Sequence, residues 1–169
     1  CDVLLRNAFV RDPGLVLRGV SNGVSRIVGD SAITLTVHPV RGDGTPYTNT
    51  GYGGLFMYDC QLHAISDAAS TSGVGLLMIN CFNTQFTNLY VSGFFINILL
   101  RGSHFAQFRN FYAADEKNSP DNPNEEIFNR GYALVIDPTA ASGETESTGL
   151  VIDGGWFHNT SLDLSFGSN

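Results

Sequence analysis

The chain has 169 residues, 43% hydrophobic and only 15% charged, with 19 glycines, which suits one β-rich domain with a real core and argues against a helix-rich one. Its net charge of −7 would repel a phosphate backbone and its nine Lys and Arg form no run, so nucleic acid is not an expected partner. No apolar run reaches membrane-spanning length, the longest being broken by Gly, Asn and Arg around Phe94 to Arg101.

The first residues, Cys1-Asp2-Val3, carry neither Met nor a basic leader, so a single segment over 1–169 cut from a longer polypeptide is expected. Apolar alternation begins at Leu15 and Leu17 and returns at Ile33 and Leu35. A repeat then emerges. Gly54-Leu55-Phe56-Met57-Tyr58-Asp59-Cys60 matches Gly75-Leu76-Leu77-Met78-Ile79-Asn80-Cys81 at a shift of 21. The second of these matches Asn97-Ile98-Leu99-Leu100-Arg101-Gly102-Ser103 at 22, and Gln85 to Tyr90 maps onto Gln107 to Tyr112 at the same 22. Between Leu17, Leu35, Met57, Met78 and Leu100 the steps are 18, 22, 21 and 22.

Periods of this size mark architectures in which each repeat buries its apolar face against its neighbours. Asn and Gly break each unit into pieces too short for helices. The expected fold is therefore all-β, a parallel β-helix with coils of about 18–22 residues. Strand alternation sends Leu76, Met78, Cys81, Phe86, Leu89 and Val91 inward, and Leu77, Ile79, Phe82 and Tyr90 outward. Leu55, Leu76 and Ile98 should stack in one interior column, with Met57, Met78 and Leu100 in the next.

Three cysteines are too few for a disulfide framework. Cys60 and Cys81 fill one slot of the repeat, with Ser103 following, and read as a reduced core ladder; no cysteine has metal-site spacing. Asp59 and Asn80 precede those cysteines at one corner, and Asn88 and Asn110 mark a second; Asx residues there tolerate left-handed φ.

From Leu100 to Ile136 the chain takes 36 residues, about 14 more than one coil needs. The surplus, 115–131, reads as an inserted acidic loop, and loops on rigid scaffolds often carry function. Beyond it, Tyr132 to Asp137 resembles Thr148 to Asp153 at a shift of 16, which fits either two tight coils or a hairpin. On the outside, Phe56, Leu77 and Leu99 form an apolar column flanked by Tyr58 and Ile79. Such a stripe needs a cover, from this chain or from a second copy, and a homo-oligomer is expected.

The Asn-Cys corner in Ile79-Asn80-Cys81, together with Asn88 to Phe94 and Gly102-Ser103-His104-Phe105, resembles the pectate-lyase-like superfamily and within it the tailspikes of tailed bacteriophages. The resemblance spans roughly residues 14–160. It implies a right-handed parallel β-helix, a homotrimer through the face with Phe56, Leu77 and Leu99, a place on the virion tail or a secreted one, and a bacterial surface polysaccharide as the bound or cleaved partner.

Polysaccharide hydrolysis needs one protonated and one charged carboxyl group. The candidates are Asp137 with Asp153, at matching positions after similar strands, and Asp115 with Glu116, where the loop leaves. Arg109, Tyr112, Trp156 and His158 are the candidate sugar-binding residues: a Trp face stacks on a pyranose while Arg and His bond its hydroxyls. A lyase would need a calcium ligand set, and none stands out, so no cofactor or metal is expected and a hydrolase ranks above a lyase. The competing class is a non-catalytic segment that only binds glycan or spaces other domains.

Overall fold

The computed structural model describes residues 2–11, 14–21, 24–40, 43, 45, 55–66, 69, 72–114, 132–137, 149–158 and 162–166, with backbone alone at 157, 158 and 162–166. Ala69 and Ser72 carry helical backbone between two strands, and the named elements among these residues are strands. In chain order they are β1 (Asp2–Leu5), β2 (Ala8–Val10), β3 (Leu15–Arg18), β4 (Arg26–Gly29), β5 (Ile33–Val37), β6 (Leu55–Tyr58), β7 (Gln61–Ala64), β8 (Val74–Ile79), β9 (Gln85–Thr87), β10 (Tyr90–Ser92), β11 (Ile96–Arg101), β12 (Gln107–Ala114), β13 (Tyr132–Asp137), β14 (Val151–His158) and β15 (Leu162–Phe166).

Every pairing among them is parallel. The strands form ladders that the chain visits in rotation. One ladder runs β1-β4-β7-β10 and on to the C-terminal half of β12. The next runs β2-β5-β8-β11-β13-β15. The last runs β3-β6-β9 to the N-terminal half of β12. Because β12 bends across a corner, the first and last ladders join in one sheet, and β14 follows both halves of β12.

Leucine and β-branched residues at alternate positions build these strands, since their branched side chains pack well on a pleated surface. Corners are made by residues at left-handed φ: Asn7, Asp59, Asn80, Asn83, Asn88 and Asn110 all lie between 48° and 55°. Asx side chains tolerate that region, which other L-residues avoid.

The interior assignments stand: Leu76, Met78, Cys81, Phe86, Leu89 and Val91 are fully enclosed. Leu76 pairs with Ile98 and Met78 with Leu100, as the shift of 22 requires. Phe86 pairs with Phe108, and their rings stack with centroids 4.7 Å apart.

The shift of 21 does not describe a ladder. Leu55 and Met57 lie on β6, which pairs with β3 and β9; Leu76 instead receives Leu35 from β5. Strands β6 and β8 look alike because each buries alternate residues, and that pattern is the same on every face of the molecule. The coil length of 18–22 residues holds where β8, β9 and β10 meet β11 and β12, at 22, and is exceeded elsewhere. Leu62 pairs with Val91 after 29 residues, Leu100 with Ile136 after 36, and Phe108 with Ile152 after 44. Loops at the corners absorb the differences, and only the inward positions keep register.

Three corner and surface readings change for the same reason. Asp59 belongs with Asn88 and Asn110, to which it is joined by hydrogen bonds, and not with Asn80. Cys60 lies beside Leu89, whereas Cys81 does meet Ser103, whose Oγ accepts from the Cys81 amide at 3.3 Å. Both cysteines are free and buried, and burial pushes the Cys60 thiol up to about 11 and raises that of Cys81 as well. Phe56 pairs with Val16 and Gln85 on one sheet, while Leu77 and Leu99 pair on the other. The expected apolar stripe through all three is therefore not built, and Leu77 and Leu99 are each only 8% exposed within the single chain.

The segments 132–137 and 149–153 form neither a hairpin nor two stacked tight coils. Strand β13 pairs with β11 and β15, and β14 pairs with β12, so the similar strands occupy different sheets. The acidic loop, including Asp115 and Glu116, lies outside the described residues.

Candidate functional site

Strand β12 turns at Asn110 and β14 at Gly154 and Gly155, so both cross the same corner one rung apart. Gly155 cannot carry a side chain: a Cβ there would come within 2.3 Å of the Phe111 carbonyl oxygen. The backbones of β14 and β12 therefore approach closely at this corner.

On one side of the corner, Thr87, Arg109 and Asp153 occupy one outward slot on successive rungs. On the other side, Tyr90, Tyr112 and Trp156 do the same. At ~4.8 Å per rung, each trio spans ~10 Å. Arg109 and Asp153 are exposed, Tyr112 is half-buried, and Trp156 is 54% exposed. The aromatic column runs on through Gln61 and Arg26 to Asp2.

Between the two columns runs a ladder of side-chain hydrogen bonds. Asn110 Nδ2 donates to Asn88 Oδ1 at 3.1 Å, and Asn88 Nδ2 donates to Asp59 Oδ1 at 2.8 Å. The next position in this column is Gly154, at φ +69°.

Of the residues expected from sequence, the fold brings together Arg109, Tyr112, Asp153 and Trp156, which are neighbours across β12 and β14. His158 has its backbone beside Ala114, and its side chain is outside the described set. Asp137 stands apart. It ends β13 on the other sheet and pairs with Arg101 at 3.1 Å, so it does not share a slot with Asp153. Among the described residues no group of three His, Cys, Asp or Glu is placed to hold a metal.

One participant, Tyr90, and one juxtaposition, that of Tyr112 with Trp156, are not legible in the sequence as parts of a site. Tyr90 was visible as the counterpart of Tyr112 in the repeat of 22, but only as an outward residue. The alignment of Tyr112 with Trp156 spans 44 residues, and the long insertion hides it.

A facet of this kind can offer aromatic surface to the apolar face of a sugar ring. The guanidinium and carboxylate across the corner can bond its hydroxyls. A cavity of about 360 Å³ lies elsewhere, beside β1, β3 and β4, walled by Val3, Leu5, Leu17 and Ile27. It has no part in this facet. No protein-family model, curated protein or solved structure matches the chain.

Proposed function

We propose that the chain is a segment of a right-handed parallel β-helix of the tailspike kind, and that it binds a bacterial surface polysaccharide on the facet formed by β12 and β14. The rotation of the chain through its ladders, always parallel and always in the same order, supports the architecture. The observation that carries the function is the column Tyr90–Tyr112–Trp156 set beside Arg109 and Asp153. Aromatic faces with a few converging polar groups are what a sugar-binding surface needs.

Cleavage is the second reading, and exposed Asp153 beside Arg109 favours it. A hydrolase needs a second carboxyl at ~5 Å for retention or ~6.5–9.5 Å for inversion. Asp115 and Glu116 follow directly on Ala114, whose backbone pairs with His158 at the end of the same facet. Asp137, held by Arg101, is the weaker candidate.

The test is electrophoretic retardation in gels containing purified O-chain or capsular polysaccharide, with reducing ends assayed in parallel. Retardation without new reducing ends is the expected result for binding alone. New reducing ends that disappear in Asp153→Asn assign cleavage to this facet. A chain that neither slows in any such gel nor releases reducing ends contradicts the proposal.

A further inference from the structure

The corner ladder has a direction, and the direction follows from chemistry. An ionised Asp59 carboxylate can only accept, so Asn88 must turn its NH2 group toward it. That leaves Asn88 Oδ1 facing the next rung, where Asn110 meets it with its own NH2 group. By the same logic Asn110 Oδ1 faces the rung after, as an acceptor. There the column holds Gly154, where a Cβ would stand 3.1 Å from that oxygen.

The ladder thus ends on an exposed acceptor in a notch, with no donor reaching it among the described residues. Its neighbours on the same rungs are Arg109 and Asp153 on one side and Tyr112 and Trp156 on the other. Glycine is not required there by the backbone alone. Asp59, Asn88 and Asn110 adopt similar left-handed φ at the same corner, so an asparagine fits the conformation of residue 154. What glycine adds is the vacant space.

We infer that the Gly154 notch is a ligand subsite, in which Asn110 Oδ1 accepts a hydrogen bond from a sugar hydroxyl or amide N–H. This rests on the polysaccharide-binding reading and names the contact at its centre. An exposed amide oxygen such as this one is hydrated by solvent water. The ligand donor replaces it in an orientation fixed two rungs away by Asp59, so little is lost in ordering the amide.

The experiment compares wild type, Gly154→Asn and Asn110→Gly by calorimetric titration with the polysaccharide preparation that retards the wild type, alongside thermal unfolding of each. Gly154→Asn extends the amide ladder and closes the notch; Asn110→Gly keeps a residue suited to left-handed φ but removes the acceptor. The expected result is about tenfold weaker binding in both. Gly154→Asn should stay folded with a midpoint close to wild type, the Asn110 amide giving way slightly to the new Cβ, which separates a binding role from a structural one. Wild-type affinity in either folded variant overturns the subsite and leaves the polysaccharide reading standing. A wild type that binds no surface polysaccharide overturns both.

Discussion

Phe108→Ala is expected to lower the free energy of unfolding by about 3–5 kcal/mol. Phe108 is fully enclosed, stacked on Phe86 at 4.7 Å and tilted against Phe111 at 5.0 Å. Its column continues to Met57 on one side and Ile152 on the other. Parallel hydrogen bonds hold the rungs ~4.8 Å apart, so neighbours above and below cannot close on the space a phenyl ring leaves. A loss of that size is a large share of the ~5–15 kcal/mol that stabilises an ordinary domain. Chemical denaturation of Phe108→Ala beside Val16→Ala measures it. Val16 is 57% exposed, and its truncation should cost less than about 0.5 kcal/mol. Equal, small losses in the two variants would mean that the aromatic column is not packed as described.

Trp156→Ala should weaken polysaccharide binding by at least about thirtyfold, the ~2 kcal/mol of a binding hot spot. It is the most exposed of the three aromatic residues on the facet and the largest of them. With 54% of the residue already in solvent, its removal should leave the unfolding midpoint almost unchanged. Trp156→Phe should recover part of the affinity, because a phenyl face can still stack on a pyranose. Binding equal to wild type in Trp156→Ala would place the glycan elsewhere on the molecule.

The ease with which the sequence could be read differed between the inside and the outside of this fold. Inward residues obey a strict alternation, so Leu76, Met78, Phe86 and Val91 declared their burial, and parallel stacking followed from the shift of 22. Which strand stacks on which was less legible. Leu55 and Leu76 look equivalent, yet they belong to different ladders, because an apolar-polar alternation carries no label for its face.

Corner insertions obscured the rest. Coil spacings of 29, 36 and 44 residues have no common period, so the meeting of Tyr112 with Trp156 and of Arg109 with Asp153 was beyond pattern matching. The same insertions made Asp137 and Asp153 look paired. Their strands are alike because both bury alternate aliphatic residues, and the chain turns a corner between them. The asparagine corners were recognised as structural, but the glycine that ends one of them acquires meaning only when its column is known.

The architecture beneath all of these expectations is one straight outward column through Asp2, Arg26, Gln61, Tyr90, Tyr112 and Trp156. Spin labels at position 156 and, in turn, at 61, 26 and 2 would measure it by dipolar spectroscopy. Distances rising in equal steps per rung, to about 14, 19 and 24 Å between backbone sites, are the predicted result. Distances that follow separation along the chain instead of rung number would contradict the stacking, and with it the facet on which the binding reading stands.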